Sequence, residues 1–352
     1  MTATHRTSHA GTATAVALAA LLALGACSSD APAPQATPDT TADKGAPPSP
    51  EVPPAWPLTG VRSDEVAARP ALAVKIENAP EARPQTGLED ADLVWEEVVE
   101  GGITRFVAVY HSKLPKVVEP VRSVRPMDPD VVAPLGGVLA YSGGQAPFIA
   151  EVEKSGTQSV IMDRGDAGFS RDPDRAAPHN VVGDVQAFLD QADDDRAAPP
   201  PAQFRYAGAA GDGTASADGS QAATVDVELS PAQRSVWDWS GKQKQWLRSE
   251  GSRESVSAAG KRLAATNVLV LSVDVVDTRY KDPAGAPVPK TELVGQGKGV
   301  LATGGKTVPV RWSKKDQRSP VQVTHDGEPA ELDPGSTWVE LVPKDGGSWK
   351  VS

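Results

Sequence analysis

Cysteine and histidine are scarce in this chain of 352 residues. Cys27 is the only cysteine, which excludes an intramolecular disulfide. Three of the five histidines follow Cys27 (His111, His179 and His325), and they are too scattered for a histidine-rich metal site. A G-x-S-x-G elbow, a phosphate-binding loop and a dinucleotide fingerprint are also missing. We therefore expect neither a metal nor a cofactor, and no recognised catalytic motif supports an enzyme.

Basic residues are also scarce relative to acidic ones. Lysine and arginine total 35 against 46 acidic residues, a formal net charge of −11 with a pI near 5.0. Broad binding to nucleic acid needs an excess of basic residues, so we expect no nucleic-acid partner. A local basic site remains compatible with this composition.

The N-terminus has the pattern of a lipoprotein signal peptide. An apolar run at 13–27 is shorter than the roughly 20 residues that span a bilayer, but it has the proportions of a signal-peptide core. It ends in "LGAC", which resembles a lipobox. We predict a signal peptide at 1–27 and lipidation of Cys27 by diacylglycerol and palmitate chains, which would hold the protein on the outer face of the cytoplasmic membrane. An ordinary signal peptide with an incidental cysteine is the alternative.

Composition divides the remaining chain into four parts. Residues 28–55 are rich in Pro, Ala, Ser and Thr and predict a disordered tether. We expect an N-terminal α/β domain at 56–200, a flexible linker at 201–222 and a β-rich domain at 223–352. The predicted class is α+β, with a layered mixed sheet and helices in the N-terminal half and mostly antiparallel strands in the C-terminal half. Whether the two halves form one body is left open.

Arginines are concentrated around the stretch "EPVRSVRP", which begins at Glu119. Arg presents a planar fork of donors that fits carboxylates and phosphates. Glycines before a helix start can add backbone N–H donors for an anion. The candidate ligand-binding residues are Glu100, Arg105, Arg122, Ser123, Arg125, Gly143, Gly144, His179 and Asn180. The alternative is internal bracing, in which these arginines pair with the nearby Glu96, Glu97, Glu100 and Glu119.

Several short stretches together resemble a known family. They include "ARPALAVKIEN", "ARPQTGLEDADLVWEEVVEGGITRF", "PVRSVRP", "GGQAP", "APHN", "VGQGKG" and "DGEPAELDPGSTWVEL". In order and spacing they are similar to the YerB-like bacterial lipoproteins, a family with an N-terminal and a C-terminal part. The resemblance covers nearly all of the chain from about residue 56, and it implies a layered α/β fold outside the membrane. It supplies no substrate. Glu119 departs from the glycine that the family usually has before "PVRS".

Three functional hypotheses follow. The first is an envelope lipoprotein that binds a cell-wall or other anionic envelope component, or a partner's carboxylates, through an arginine-lined pocket. The second is a hydrolase of an envelope polymer in which Glu100 or Glu96 works with His179 as an acid–base pair. The third is a structural or chaperone-like scaffold that uses the tryptophan-rich C-terminal half.

Overall fold

The computed structural model describes residues 53–283 and 285–352. The predicted signal peptide with Cys27, and the predicted tether as far as residue 52, lie outside the described residues. In the described ranges, no helix combines the length and the apolar character that a membrane span requires.

Strands dominate the described part of the chain, and the helices are few and short. The α-helices are α1 (Asp128–Val132), α2 (Ala146–Lys154), α3 (Val185–Leu189) and α4 (Thr214–Asp218). The strands are β1 (Leu72–Glu77), β2 (Leu93–Val98), β3 (Thr104–Tyr110), β4 (Val117–Val118), β5 (Val138–Tyr141), β6 (Gln158–Ile161), β7 (Phe169–Arg171), β8 (Val181–Asp184), β9 (Arg205–Tyr206), β10 (Ser220–Gln221), β11 (Thr224–Ser230), β12 (Gln233–Ser240), β13 (Gln245–Glu250), β14 (Arg253–Glu254), β15 (Ala264–Ala265), β16 (Asn267–Lys281), β17 (Pro287–Glu292), β18 (Gly295–Thr303), β19 (Lys306–Lys314), β20 (Gln322–His325), β21 (Glu328–Pro329), β22 (Glu331–Leu332), β23 (Thr337–Pro343) and β24 (Ser348–Val351).

A large mixed sheet runs through the molecule in the order β6-β5-β1-β3-β2-β23-β16-β18-β19-β20-β21. Strands of the N-terminal half meet those of the C-terminal half where β2 pairs in parallel with β23, which in turn pairs in parallel with β16. The two halves therefore share one sheet and form a single compact body in the described residues. Most other pairs in the C-terminal half are antiparallel, and the predicted α+β class is confirmed.

Both faces of the large sheet are buried at its central strands, such as β1, β2 and β3. On β1, Leu72, Val74 and Ile76 belong to one apolar core, and Ala73 belongs to the core on the other face, as the two-residue period of a strand requires. The first core packs against a second, antiparallel sheet in the order β14-β13-β12-β11-β24, which supplies Trp237 and Trp246. The second core contains residues of α1 and α2. The result is three layers: helices, large sheet, small sheet.

Residues 201–222, which the composition predicts to be a flexible linker, contain β9, α4 and β10. Phe204 and Ala215 are buried in a core, and the Asp333 carboxylate accepts hydrogen bonds from the N–H groups of Gly211 and Gly213 at 2.9 and 2.7 Å. The segment is attached along the body because β9 pairs with β22 and β10 pairs with β19.

Candidate functional site

Two backbone features bring the predicted arginines to one end of the large sheet. The β2–β3 hairpin turns at Gly101 and Gly102, whose φ angles of +70° and +73° suit glycine, and Arg105 follows on β3. The segment from Val121 to Val124 lies beside β1, where the Arg122 N–H donates to the Lys75 carbonyl at 2.8 Å. Its far side is held by the turn after β5, because the Val124 N–H donates to the Gly143 carbonyl at 3.0 Å.

Arg105 is the innermost cation of this group, with 4% of its surface exposed. Its Nη1 donates to the Ser123 carbonyl at 2.6 Å, and its Nε has no hydrogen-bond partner. Burial, together with the neighbouring Arg125 and Arg122, lowers the pKa of Arg105 to about 9 against the opposing effect of Glu100 and Glu77. In the described part of the chain, no carboxylate lies within the 4 Å of an ion pair with Arg105, which leaves this cation poorly compensated.

The other two arginines each contact one carboxylate. Arg122 Nε lies 3.0 Å from Glu77 Oε1, and Arg125 Nε lies 2.6 Å from Glu100 Oε1. The second oxygen of Glu77 is 2.9 Å from His179 Nδ1. The side chains of Arg122 and His179 are 23% and 22% exposed, so they form the solvent side of the group. We call Arg105, Arg122 and Arg125, with Glu77, Glu100 and His179, the arginine cluster.

A fully buried triad of ionisable side chains lies directly beneath the arginine cluster. Lys75 Nζ contacts both Glu97 and Asp128, the latter at 2.7 Å, and the side chains of all three residues have no exposed surface. Asp128 also accepts from the Arg125 N–H at 2.6 Å, which joins the triad to the cluster. Burial and the Asp128 charge raise the pKa of Glu97 to about 8, in spite of the nearby lysine. The triad fixes the backbone that carries Arg125.

The remaining predicted residues lie at the margin of the cluster. Ser123 Oγ is 3.3 Å from Ser142 Oγ, and Gly143 and Gly144 follow directly in the turn that precedes α2. A Cβ on Gly143 would lie 1.9 Å from Asp163 Oδ2, so the turn is closed by a carboxylate there. Asn180 accepts from Arg171 Nη1 at 2.8 Å and donates to the Asp172 carbonyl, and these bonds hold its own loop.

Glu96 does not meet His179. Successive strand residues point to opposite faces, and the Glu96 side chain lies on the face that packs against the small sheet. There it accepts from Arg248 Nη2 at 2.7 Å. Arg248 is fully buried, also pairs with Glu250, and lies 4.9 Å from the ring centre of Trp338. Burial and the proximity of Glu96 raise the pKa of Glu340 in this second buried polar group. Glu96 therefore serves the contact between the two sheets.

The glutamates that the bracing alternative invokes have separate partners. Glu100 pairs with Arg125, Glu97 with Lys75, and Glu119 with Arg175 at 3.5 Å. Bracing thus accounts for Arg125 and leaves Arg105 without a carboxylate. In charge terms, the cluster holds three arginines against Glu77 and Glu100, an excess of one positive charge. Such an arrangement can accept a carboxylate or a phosphate through bidentate hydrogen bonds.

Sequence reasoning missed Glu77, Lys75 and Asp128. Glu77 joins Arg122 to His179, and Lys75 anchors the triad. The signal was present in "ALAVKIEN", where two charged residues two positions apart interrupt an apolar strand and so share one face. A charge in a buried strand needs a partner, which marks both residues as members of a polar site.

Comparison with known proteins finds matches to most of the described chain. Residues 58–198 match the N-terminal domain of a "Protein of unknown function (DUF3048)", and residues 225–339 match the corresponding C-terminal domain. "Putative lipoprotein YerB" of Bacillus subtilis (strain 168) is 26% identical over 298 residues, which cover 82% of this chain and 86% of the relative. The crystal structure of YerB protein from Bacillus subtilis superposes with a TM-score of 0.72 at 24% identity, covering 84% of this chain and 99% of that chain. Two consecutive domain matches, a relative of nearly full length and a shared fold agree, and the chain belongs to the YerB-like family of two-part DUF3048 proteins.

Proposed function

We propose that this protein is a lipid-anchored envelope protein that binds an anionic group of an envelope component, or of a partner protein, at the arginine cluster. The observation that carries the proposal is Arg105, a buried cation without an ion pair that lies beside two further arginines. An uncompensated buried charge is costly, and a bound anion removes that cost.

The chemical class of the ligand follows from the donors. Glu77 accepts a hydrogen bond from the Nε of Arg122. The Nη groups of this partly exposed side chain therefore remain available as donors to a ligand. A group that presents two acceptor oxygens side by side, such as a carboxylate or a phosphate ester, suits this fork better than a halide does. The single excess positive charge of the cluster favours a ligand group with one negative charge.

The experiment is a thermal-shift titration of the purified protein with inorganic phosphate, acetate and soluble cell-wall fragments. A ligand that binds the folded state raises the melting temperature by mass action. Arg122→Lys keeps the charge and loses the fork, so we expect the ligand-induced rise to disappear. Arg164→Lys is the matched control, since Arg164 pairs with Glu153 at an exposed position on the surface. An undiminished rise in Arg122→Lys would contradict the proposal.

The lipid anchor rests on "LGAC" at Cys27 and on the name of the Bacillus subtilis relative. Replacing Cys27 by Ala should release the protein from the membrane fraction and abolish incorporation of labelled palmitate. Retention of Cys27→Ala in the membrane at the wild-type level would show that another feature anchors the chain.

A second candidate function rests on the contact between His179 and Glu77. A carboxylate on Nδ1 orients the imidazole and leaves Nε2 to exchange a proton with a substrate, as in acid–base catalysis. In this form the acid–base pair is Glu77 with His179, since Glu100 is engaged by Arg125. His179→Gln should then abolish hydrolysis of envelope polymer and preserve ligand-induced stabilisation. Loss of both properties together would assign His179 to binding.

A further inference from the structure

A second concentration of positive charge lies in the C-terminal half. A cavity of about 640 Å³ is lined by Ser272, Gln296, Gly297, Lys298, Arg311, Trp312, Ser313, Thr324 and Lys344. A neighbouring cavity of about 400 Å³ shares Ser272, Lys298 and Lys344 with it, and one of about 580 Å³ shares Gln296 and Ser313. We call these three connected cavities the basic groove. No acidic residue lines any of them, in a protein whose acidic residues outnumber its basic ones by 46 to 35.

Two cations of the basic groove face each other across a strand pair. Lys298 on β18 and Arg311 on β19 are directly opposite in the antiparallel register, and both are exposed. Like charges in this position destabilise a sheet. No other opposed pair on these two strands consists of two charged residues: Lys314 and Lys306 face Gly295 and Thr303, and the central pair Leu301 and Val308 is apolar. Neither Lys298 nor Arg311 has a carboxylate within ion-pair distance among the residues that the structure describes.

The other walls of the groove fix its shape. Lys298 Nζ lies 5.7 Å from the ring centre of Trp349 on β24, so the groove runs between the large sheet and the β23–β24 turn. Lys344 in that turn is 2.6 Å from Asp274, and this carboxylate compensates it in part. Lys314 is turned inward, where its Nζ donates to the Gln317 carbonyl at 2.9 Å, and it adds no charge to the groove.

We propose that the basic groove binds a linear phosphodiester polymer, with successive phosphates on Arg311, Lys298 and Lys344. Arg311, Lys298 and Lys344, with the exposed Lys315 in the third cavity, offer more than one phosphate site. The absence of lining carboxylates removes the repulsion that an anion would meet elsewhere on this acidic protein. A chain can lie along a groove between a sheet and a turn, whereas a flat bilayer surface cannot enter it. The site is separate from the arginine cluster, since β2, β23 and β16 lie between β3 and β18.

The test is a binding titration of the full chain with poly(glycerol phosphate), at several salt concentrations. Lys298→Gln/Arg311→Gln should weaken binding at least tenfold at about 0.1 M salt and lower the slope of log Kd against log salt by about two, one for each lost phosphate contact. Lys242→Gln/Arg253→Gln removes two exposed charges outside the groove and should change Kd less than threefold. The melting temperature of the first double variant should stay level or rise, because the opposed like charges are gone.

Equal weakening by both double variants would overturn the proposal, as would a wild-type protein that does not bind the polymer. Vesicles of phosphatidylglycerol test whether the phosphate groups that bind the groove belong to lipid headgroups or to a polymer. Binding to the vesicles alone, lost in the groove variant, would assign the groove to lipid headgroups and refute the polymer. If the double variant does not fold, Arg311→Gln alone should weaken binding at least threefold, and an unchanged Kd refutes the proposal.

Discussion

Glu97 provides a sharp test of the buried triad. The pKa of its carboxyl is about 8 in the folded protein and 4.5 when unperturbed, so the folded state binds one more proton than the unfolded state between these values. The free energy of unfolding then falls as pH rises from 4.5 to 8, by about 1.4 kcal/mol per pH unit. Over the 3.5 units between the two pKa values, the loss is on the order of 5 kcal/mol.

Glu97→Gln should remove this pH dependence. The protonated carboxyl accepts from Lys75 and donates to Asp128, and a glutamine amide can keep both bonds in nearly the same shape. We expect the variant to match the wild type near pH 4.5 and to be several kcal/mol more stable at pH 8. Titrating groups outside the triad are common to both proteins, so they cancel in the difference.

The assay is urea denaturation from pH 4.5 to 8.5, followed by tryptophan fluorescence. Glu151→Gln, at an exposed position on α2, controls for the change of one unit of net charge. Parallel stability curves for the wild type and Glu97→Gln would refute the reasoning, because they would mean that Glu97 is ionised throughout. A variant that is less stable at every pH would show that the amide cannot replace the carboxyl geometry.

Two further substitutions test the packing around the sites. Arg248→Met leaves the buried Glu96 without its cation and Glu250 with Arg83 alone, and it should lower the free energy of unfolding by about 3–5 kcal/mol. Arg164→Met at the surface should cost less than about 1 kcal/mol. A small effect of Arg248→Met in urea denaturation would argue against the ion pairs between the sheets. Gly297→Ala places a Cβ 2.4 Å from Trp312 Nε1 and should cost about 1–3 kcal/mol and shift the tryptophan fluorescence, because it displaces the indole that donates to the Ser272 carbonyl. Unchanged fluorescence and stability would show that the indole can move without cost.

The sequence alone was enough for the features that depend on local patterns. Strand and turn patterns in 223–352 predicted mostly antiparallel strands there, and the arginines of "EPVRSVRP" identified the segment that carries Arg122 and Arg125. Without any structure, the single cysteine excluded an intramolecular disulfide, and the acidic composition argued against a nucleic-acid partner. These inferences succeed because strand periodicity and turn conformation are set by residues only a few positions apart.

Only the tertiary structure decided which charges meet. Glu77 and His179 are 102 positions apart, and Glu96 reaches Arg248 across 152 positions. The parallel pairing of β2 with β23 joins the two halves, and a shift of one residue in the register of β18 and β19 would separate Lys298 from Arg311. Strand order and register are chosen by the packing of the whole chain, so the partners of a buried charge cannot be read from its neighbours in sequence.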